Sequence, residues 1–417
     1  MVNEQAKSNI EKEKKLCLCM IVKNESKIIE RCLNSAKSII DYVSICDTGS
    51  TDHTPEIIEK WCEENEIPGT VHHEPFRNFG YNRSLAVSLA QETYPESDYL
   101  LILDADMILE VTPDFDKGSL TKDHYLTMQY DIHIKYWLTR LLKTSLPWKS
   151  VGVTHEYWDI DRSKVGANYF TAVDRLDDLV VNDQGDGGSK ADKFERDKRL
   201  LLEGIQDPAT TPDLKVRYLF YLAQSYFHLN EFEESIKWYK KRVDAGGWAE
   251  EVFYSLLRIG FCYEHLANRS SFKHKQLTSQ NEDDQSKVDQ SEIDYLIQQE
   301  EQFLALAITY FQDAWEYRPT RAESLYQLAR IYRTRSQNHI GLMYALQGKE
   351  ISFPKEDLLF VDYHVYDYLF DYEISICAYY IASKKHLGAK SQKYLESKMK
   401  ELPVNIANVV ESNAKFY

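Results

Sequence analysis

The sequence predicts two architectures in series: an α/β domain on a mostly parallel, Rossmann-like sheet, then an all-α domain of repeated helix pairs. Three observations carry that expectation. Apolar runs alternate with helical stretches up to residue 106, the rhythm of a parallel sheet with crossover helices. One of those runs, Tyr99-Leu100-Leu101-Ile102-Leu103, ends abruptly in Asp104-Ala105-Asp106. Beyond residue 207 the strand-like runs stop, and small and large residues recur at helical spacing.

The elements follow in order. Residues 1–15 form a charged tail without an apolar signal segment. Leu16-Cys17-Leu18-Cys19-Met20-Ile21-Val22 is a continuous apolar run, as expected of a strand buried on both faces. It leads into Lys23-Asn24-Glu25-Ser26 and a helical stretch to residue 39. A second strand, 42–46, ends in Asp47-Thr48-Gly49-Ser50-Thr51-Asp52, and 71–74 is a short further strand. Asn78-Phe79-Gly80-Tyr81-Asn82-Arg83-Ser84 opens a helix to residue 91. Parallel sheets bind ligands at the carboxyl ends of their strands, so the three polar clusters share one edge, a candidate nucleotide site. Two adjacent carboxylates there call for a cation. Mn2+ or Mg2+, completed by diphosphate oxygens, fits that chemistry.

Met20-Ile21-Val22-Lys23-Asn24-Glu25, Asp47 through Asp52 and Asp104-Ala105-Asp106 occur in the order and spacing of the family-two glycosyltransferases with the GT-A fold, and the chain resembles that family. Gly152-Val153-Thr154-His155-Glu156 is similar to an element of a subset that carries C-terminal helical repeats, the sublancin-type peptide S-glycosyltransferases among them. The resemblance covers roughly 16–205 and implies a nucleotide-sugar donor, most often a UDP sugar. It assigns Asp106 and Asp104 to the metal, Asp104 also to the donor, and Asp47 to the nucleotide base. Arg83 matches the basic residue of the family's A-R-N element, although the triplet here is Asn82-Arg83-Ser84, and the match implies a donor-binding residue that contacts phosphate or shields the Asp47 region. Glu25 supports the first loop beside the nucleotide. Relatives carry a histidine near 180–188 suited to be a third metal ligand. This chain has none there, so either Asp186, Asp183 or His155 substitutes, or metal binding is weaker than in relatives. Gly185, Gly187 and Gly188 suggest a loop that closes over the donor.

An inverting transfer needs a carboxylate to take the acceptor proton during in-line attack on the anomeric carbon. Glu156 is the candidate base, with His155 beside it as a ligand for metal or phosphate. Trp148, Tyr157 and Trp158 suit either a sugar-stacking wall or core packing. The α/β domain is expected over 16–190.

The second half has a different rhythm. Residues 191–213 read as a connector helix stopped at Asp207-Pro208. From 214 to 353, Leu222, Ala223 and Tyr226 pair with Ser235 and Tyr239 at tetratricopeptide spacing. Ile259, Gly260 and Tyr263 repeat the first positions 37 residues later, and Leu328, Ala329 and Tyr332 open another pair. The polar stretch 270–291 is expected to be a disordered insertion, and 354–417 to cap the stack.

Net charge of -16 argues against nucleic acid as the main partner. No apolar run approaches a membrane span. Seven cysteines without C-x-x-C spacing point to a reducing, cytoplasmic compartment. The leading expectation is a metal-dependent inverting glycosyltransferase whose repeats hold a protein, peptide or glycan acceptor. A nucleotidyltransferase acting on a sugar phosphate is disfavoured by the glycine-free, acid-bearing loop after the first strand. A catalytically silent repeat adaptor is disfavoured by the intact acid pair.

Overall fold

The computed structural model describes residues 13–131, 135–187, 192–283 and 290–417. It divides into two units, Met1–Gly204 and Ile205–Tyr417. The first alternates β1 (Leu16–Val22), α1 (Ile29–Ala36), β2 (Tyr42–Asp47), α2 (Thr54–Glu64), β3 (Gly69–His73), α3 (Phe79–Thr93) and β4 (Tyr99–Ile102). These four strands lie side by side in the order β3-β2-β1-β4, all parallel.

The periodicity of β1 explains its unbroken apolar run. Leu16, Leu18, Met20 and Val22 pack in one core with Ile29, Leu33 and Ile58 of α1 and α2. Cys17 and Cys19 point the other way, into a second core with Ala86, Val87 and Ala90 of α3. Both faces are covered, so no position on the strand can be polar without cost.

The sheet then continues past the acid pair. β5 (Met107–Val111), β6 (His124–Tyr130), β7 (Lys135–Lys143), β8 (Trp148–Val151), β9 (Tyr157–Ile160), a short α4 (Arg162–Val165) and β10 (Val173–Asp183) follow. The full order is β3-β2-β1-β4-β7-β6-β10-β5, with β7 antiparallel to β4 and β6, β10 parallel to β6, and β5 antiparallel to β10. β8 and β9 form a separate hairpin. The result is a mostly parallel, GT-A-like sheet. Helix α5 (Lys193–Gln206) ends the segment, where a connector was expected.

The second unit is helical: α6 (Pro212–His228), α7 (Phe232–Ala245), α8 (Ala249–Asp283), α9 (Gln290–Tyr317), α10 (Glu323–Thr334), α11 (Asn338–Lys349), α12 (Phe370–Tyr379), α13 (Lys385–Ser397) and α14 (Val404–Asn413). Small residues let large neighbours close in. A Cβ on Gly260 of α8 would lie 2.6 Å from the Phe311 ring of α9, so that position admits glycine and little else. The buried Ser235 hydroxyl donates to the Ala223 carbonyl at 2.8 Å, tying α7 to α6. The disorder expected for 270–291 is corrected: its described residues are helical, as α8 runs through Asp283 and α9 begins at Gln290, with 284–289 outside the described residues. Glutamine, lysine and glutamate are good helix formers, so polarity there marks solvated helix faces rather than missing structure.

Among the described residues no helix is long and apolar enough to cross a membrane. All seven cysteines are buried and free.

Candidate active site at the carboxyl edge of the sheet

The register places Val22 beside Asp47, so the loops after β1 and β2 leave the sheet together. They are knitted by side chains. Asn24 adopts a left-handed φ of 59°, a conformation asparagine tolerates better than most residues. Its amide N–H donates to Ser50 Oγ at 2.9 Å, and its side-chain oxygen accepts the Thr51 N–H at 2.7 Å. The Glu25 N–H donates to Thr54 Oγ1 at 2.8 Å, and the Ser26 N–H to Asp52 at 3.2 Å. Burial works to raise the Asp52 pKa, but the hydrogen bonds from Thr54 and Ser26 outweigh it and hold the carboxyl at about 2. Asp47 is 4% exposed. It accepts the Gly49 and Ser50 N–H groups at 3.3 and 3.1 Å, with His73 Nδ1 3.6 Å away.

Arg83 comes from the first turns of α3, and several contacts fix where those turns sit. Asn78 caps the helix by accepting the Tyr81 N–H at 2.8 Å. A Cβ on Gly80 would fall 2.1 Å from the Gly152 carbonyl oxygen, so glycine alone permits this approach. The Phe79 N–H donates to the Val153 carbonyl, and Ser84 Oγ accepts the Ser150 N–H at 2.8 Å. Thus α3 is docked on the 150–153 segment, and the Arg83 guanidinium bridges two carboxylates. Its Nε donates to Glu156 at 2.6 Å and its Nη2 to Asp104 at 2.7 Å. Burial opposes the charge on Asp104, yet Arg83 and Arg140 hold its carboxyl below the ordinary value. Arg83 is held above its own ordinary value, the two carboxylates outweighing burial.

Gly152 and His155 both have positive φ, 126° and 51°, so the G-x-x-H-E segment is a tight bend and its last two side chains diverge. Glu156 meets Arg83. His155 Nε2 lies 3.8 Å from Asp197 of α5, which also accepts the Thr154 hydroxyl at 3.1 Å. Asp197 is 2% exposed, and burial raises its pKa.

The three-carboxylate metal set expected of Asp104, Asp106 and Asp186 is not assembled. Asp186 makes a two-armed ion pair with Arg31 of α1, at 2.8 and 2.7 Å, and Asp104 is turned to Arg83. Asp183, another candidate substitute, accepts from Gln129 and from the Gly185 N–H. Among the described residues no group of three or more His, Cys, Asp or Glu is placed to hold a metal ion. Asp106 remains at the edge, with the Gln184 N–H on its carbonyl. A Cβ on Gly187 would stand 3.0 Å from its carboxylate, so the glycine backbone passes close beside the acid. This donor set fits a hard divalent ion that takes one or two carboxylates and fills its shell with substrate phosphate oxygens.

Sequence reasoning missed Arg31, Arg140 and Asp197. Arg140 of β7 is 4% exposed; it donates to the Ile102 carbonyl at 3.3 Å and to Gln129, and burial lowers its pKa. An arginine within the apolar end of a strand was the available signal. Trp148, suited to either a sugar-stacking wall or core packing, is buried against His124. Tyr157 is exposed, and Trp158 packs at the margin of the second core.

Residues 17–116 match the family model described as glycosyl transferase family 2. Over those residues the chain is similar to the family-two glycosyltransferases. It is 24% identical over 243 residues to the SPbeta prophage-derived glycosyltransferase SunS of Bacillus subtilis, covering 54% of this chain and 52% of that protein. It is 32% identical over 127 residues to an uncharacterized glycosyltransferase of Rickettsia bellii, covering 30% of this chain and 40% of the relative. A TPR repeat-containing protein of Synechococcus elongatus is 36% identical over 95 residues, 22% of this chain and 21% of that protein. The chain thus spans about half of SunS or less of the other two. Among solved structures, S. aureus TarS aligns over 58% of this chain and 51% of its own, at 17% identity and a TM-score of 0.31.

Proposed function

We propose that the protein is a metal-dependent inverting glycosyltransferase that moves a sugar from a nucleoside diphosphate donor, UDP the first candidate, to an acceptor held partly by the helical unit. The observation that supports this reading most is the Arg83 bridge. One cation joins Asp104, on the donor side of the family's motif, to Glu156, the candidate base. Two carboxylates with different tasks lie within one guanidinium's reach.

In this reading Asp47 receives the base N–H of the nucleotide, and the knitted loop around Glu25 supports it. Asp106, with Asp104 beside it, would hold Mn2+ or Mg2+ on the diphosphate, and such an ion offsets the charge that develops on the departing nucleotide. The acceptor atom bonds to the anomeric carbon as the bond to the diphosphate oxygen breaks. Glu156 takes the acceptor's proton. Inversion follows from attack opposite the leaving group. His155, directed at Asp197, orients the bend that carries Glu156.

In the helical unit, the stacked Tyr263 and Tyr310 rings (5.6 Å apart), with Lys240 against both, offer an aromatic and cationic surface for a polar acceptor. The deciding experiment is a panel of nucleotide sugars assayed for slow hydrolysis with Mn2+, with Mg2+ and with chelator. One donor turned over only with metal is the expected result; undiminished turnover in chelator overturns the metal-dependent mechanism. Tyr310→Ala should raise the acceptor KM and leave donor hydrolysis unchanged.

A further inference from the structure

We infer that Arg83 couples donor binding to the release of Glu156: the incoming diphosphate takes over the guanidinium, and Glu156 becomes available to the acceptor only then. This inference rests on the glycosyltransferase reading above. Arg83 contacts the diphosphate directly in it and affects the proton transfer through Glu156.

The geometry carries the argument. Arg83 is anchored on α3 by the Asn78 cap, the Gly80–Gly152 contact and Ser84, so its backbone has little freedom to follow a ligand. Its fork spends Nε on Glu156 and Nη2 on Asp104, at 2.6 and 2.7 Å. A base whose oxygen accepts a charged hydrogen bond from arginine is poorly placed to take a proton. A diphosphate beside Asp104 brings acceptor oxygens that match the arginine fork as well as a carboxylate does, with more charge. The Nε that serves Glu156 and the Nη2 that serves Asp104 form one edge of a rigid plane, so a guanidinium that turns this edge to the diphosphate gives up the Glu156 contact. Rotation of the side chain toward the phosphates therefore breaks the Glu156 contact. Deprotonation of the acceptor is confined to the donor-bound enzyme, and a wasted proton transfer without donor is avoided.

The coupling makes an unusual demand. Donor binding must break the Arg83–Glu156 pair, so removing Glu156 should tighten donor binding. The test is calorimetric titration of the full chain with UDP at fixed Mg2+, for the wild type, Glu156→Gln and Glu156→Ala, each repeated with Arg83→Gln. The two Glu156 variants guard against a single misfolded protein, which thermal melting identifies. The expected result is UDP binding tighter by about tenfold in at least the alanine variant, the scale of one charged hydrogen bond. The gain should vanish when Arg83 is already glutamine. In turnover, Glu156→Gln should lower kcat and donor KM together. UDP affinity unchanged or weaker in both Glu156 variants overturns the coupling and leaves the glycosyltransferase reading standing. Wild-type protein that binds no UDP, GDP or dTDP overturns that reading, and the coupling falls with it.

Discussion

Both units bury arginine–carboxylate groups, and the two cases differ in how completely they are closed. In the helical unit Arg321 is fully buried, and its guanidinium is spent on Glu323 at 3.0 Å, Asp357 at 3.4 Å and the carbonyls of Leu359 and Phe360. Glu323 in turn accepts the Tyr366 hydroxyl and the Asp362 N–H. Asp357 pairs with Arg318 as well. That network ties the 357–362 segment to the start of α10 and has no room for a ligand. Arg83, Asp104 and Glu156 retain 15%, 28% and 16% of side-chain exposure at the sheet edge. A saturated buried network holds a fold together; a partly open one at a strand end can exchange partners.

The comparison breaks first on stability. Arg321→Leu leaves Glu323 buried without its cation, and should cost about 3–5 kcal/mol in chemical denaturation of the full chain. Arg83→Gln, at a partly solvated site, should cost less than about half of that. Equal losses would show that the sheet-edge network is structural too.

On activity the ranking reverses. Glu156→Gln should lower sugar transfer by at least about a hundredfold, the scale of a lost general base, with little change in melting temperature. Arg321 variants that remain folded should transfer normally, which steady-state kinetics below their melting point would check.

A third contrast concerns packing. Gly260→Val forces a branched side chain against the Phe311 ring and should destabilise by about 1–3 kcal/mol. A neutral result would mean that α8 and α9 separate easily at that point.

The smallest effect is the pH dependence of the loops. The folded Asp52 pKa of about 2 lies below its ordinary value, so its contribution is present in full above about pH 4 and is lost as the pH falls toward 2. Asp52→Asn should flatten that acid limb in thermal melts taken from pH 6 to 2. An unchanged limb would assign the acid loss to other carboxylates.

Much of this was legible in the residues. β1, β2 and β4 announce themselves because strands covered on both faces must be apolar throughout, and helix spacing in the second half survives because small residues such as Gly260 sit where large ones close in. The described residues of the polar segment 270–291 misled because composition alone does not separate a solvated helix from a disordered chain. β6 alternates in burial and carries Gln129, and β7 is fully buried only over Arg140, Leu141 and Leu142, so their pattern was too mixed to read as buried strands.

By itself the sequence determined which strands end in Asp47 and in the Asp104–Asp106 pair, since the apolar run and its abrupt polar stop are local. Only the tertiary structure decided what those acids meet. Arg83 and Glu156 are 73 positions apart, and Arg31 and Asp186 are 155 apart. Such pairings depend on how closely α3 docks at Gly80 and on where the chain after β10 returns. Charge partners across the fold are chosen by packing geometry, which no local pattern encodes.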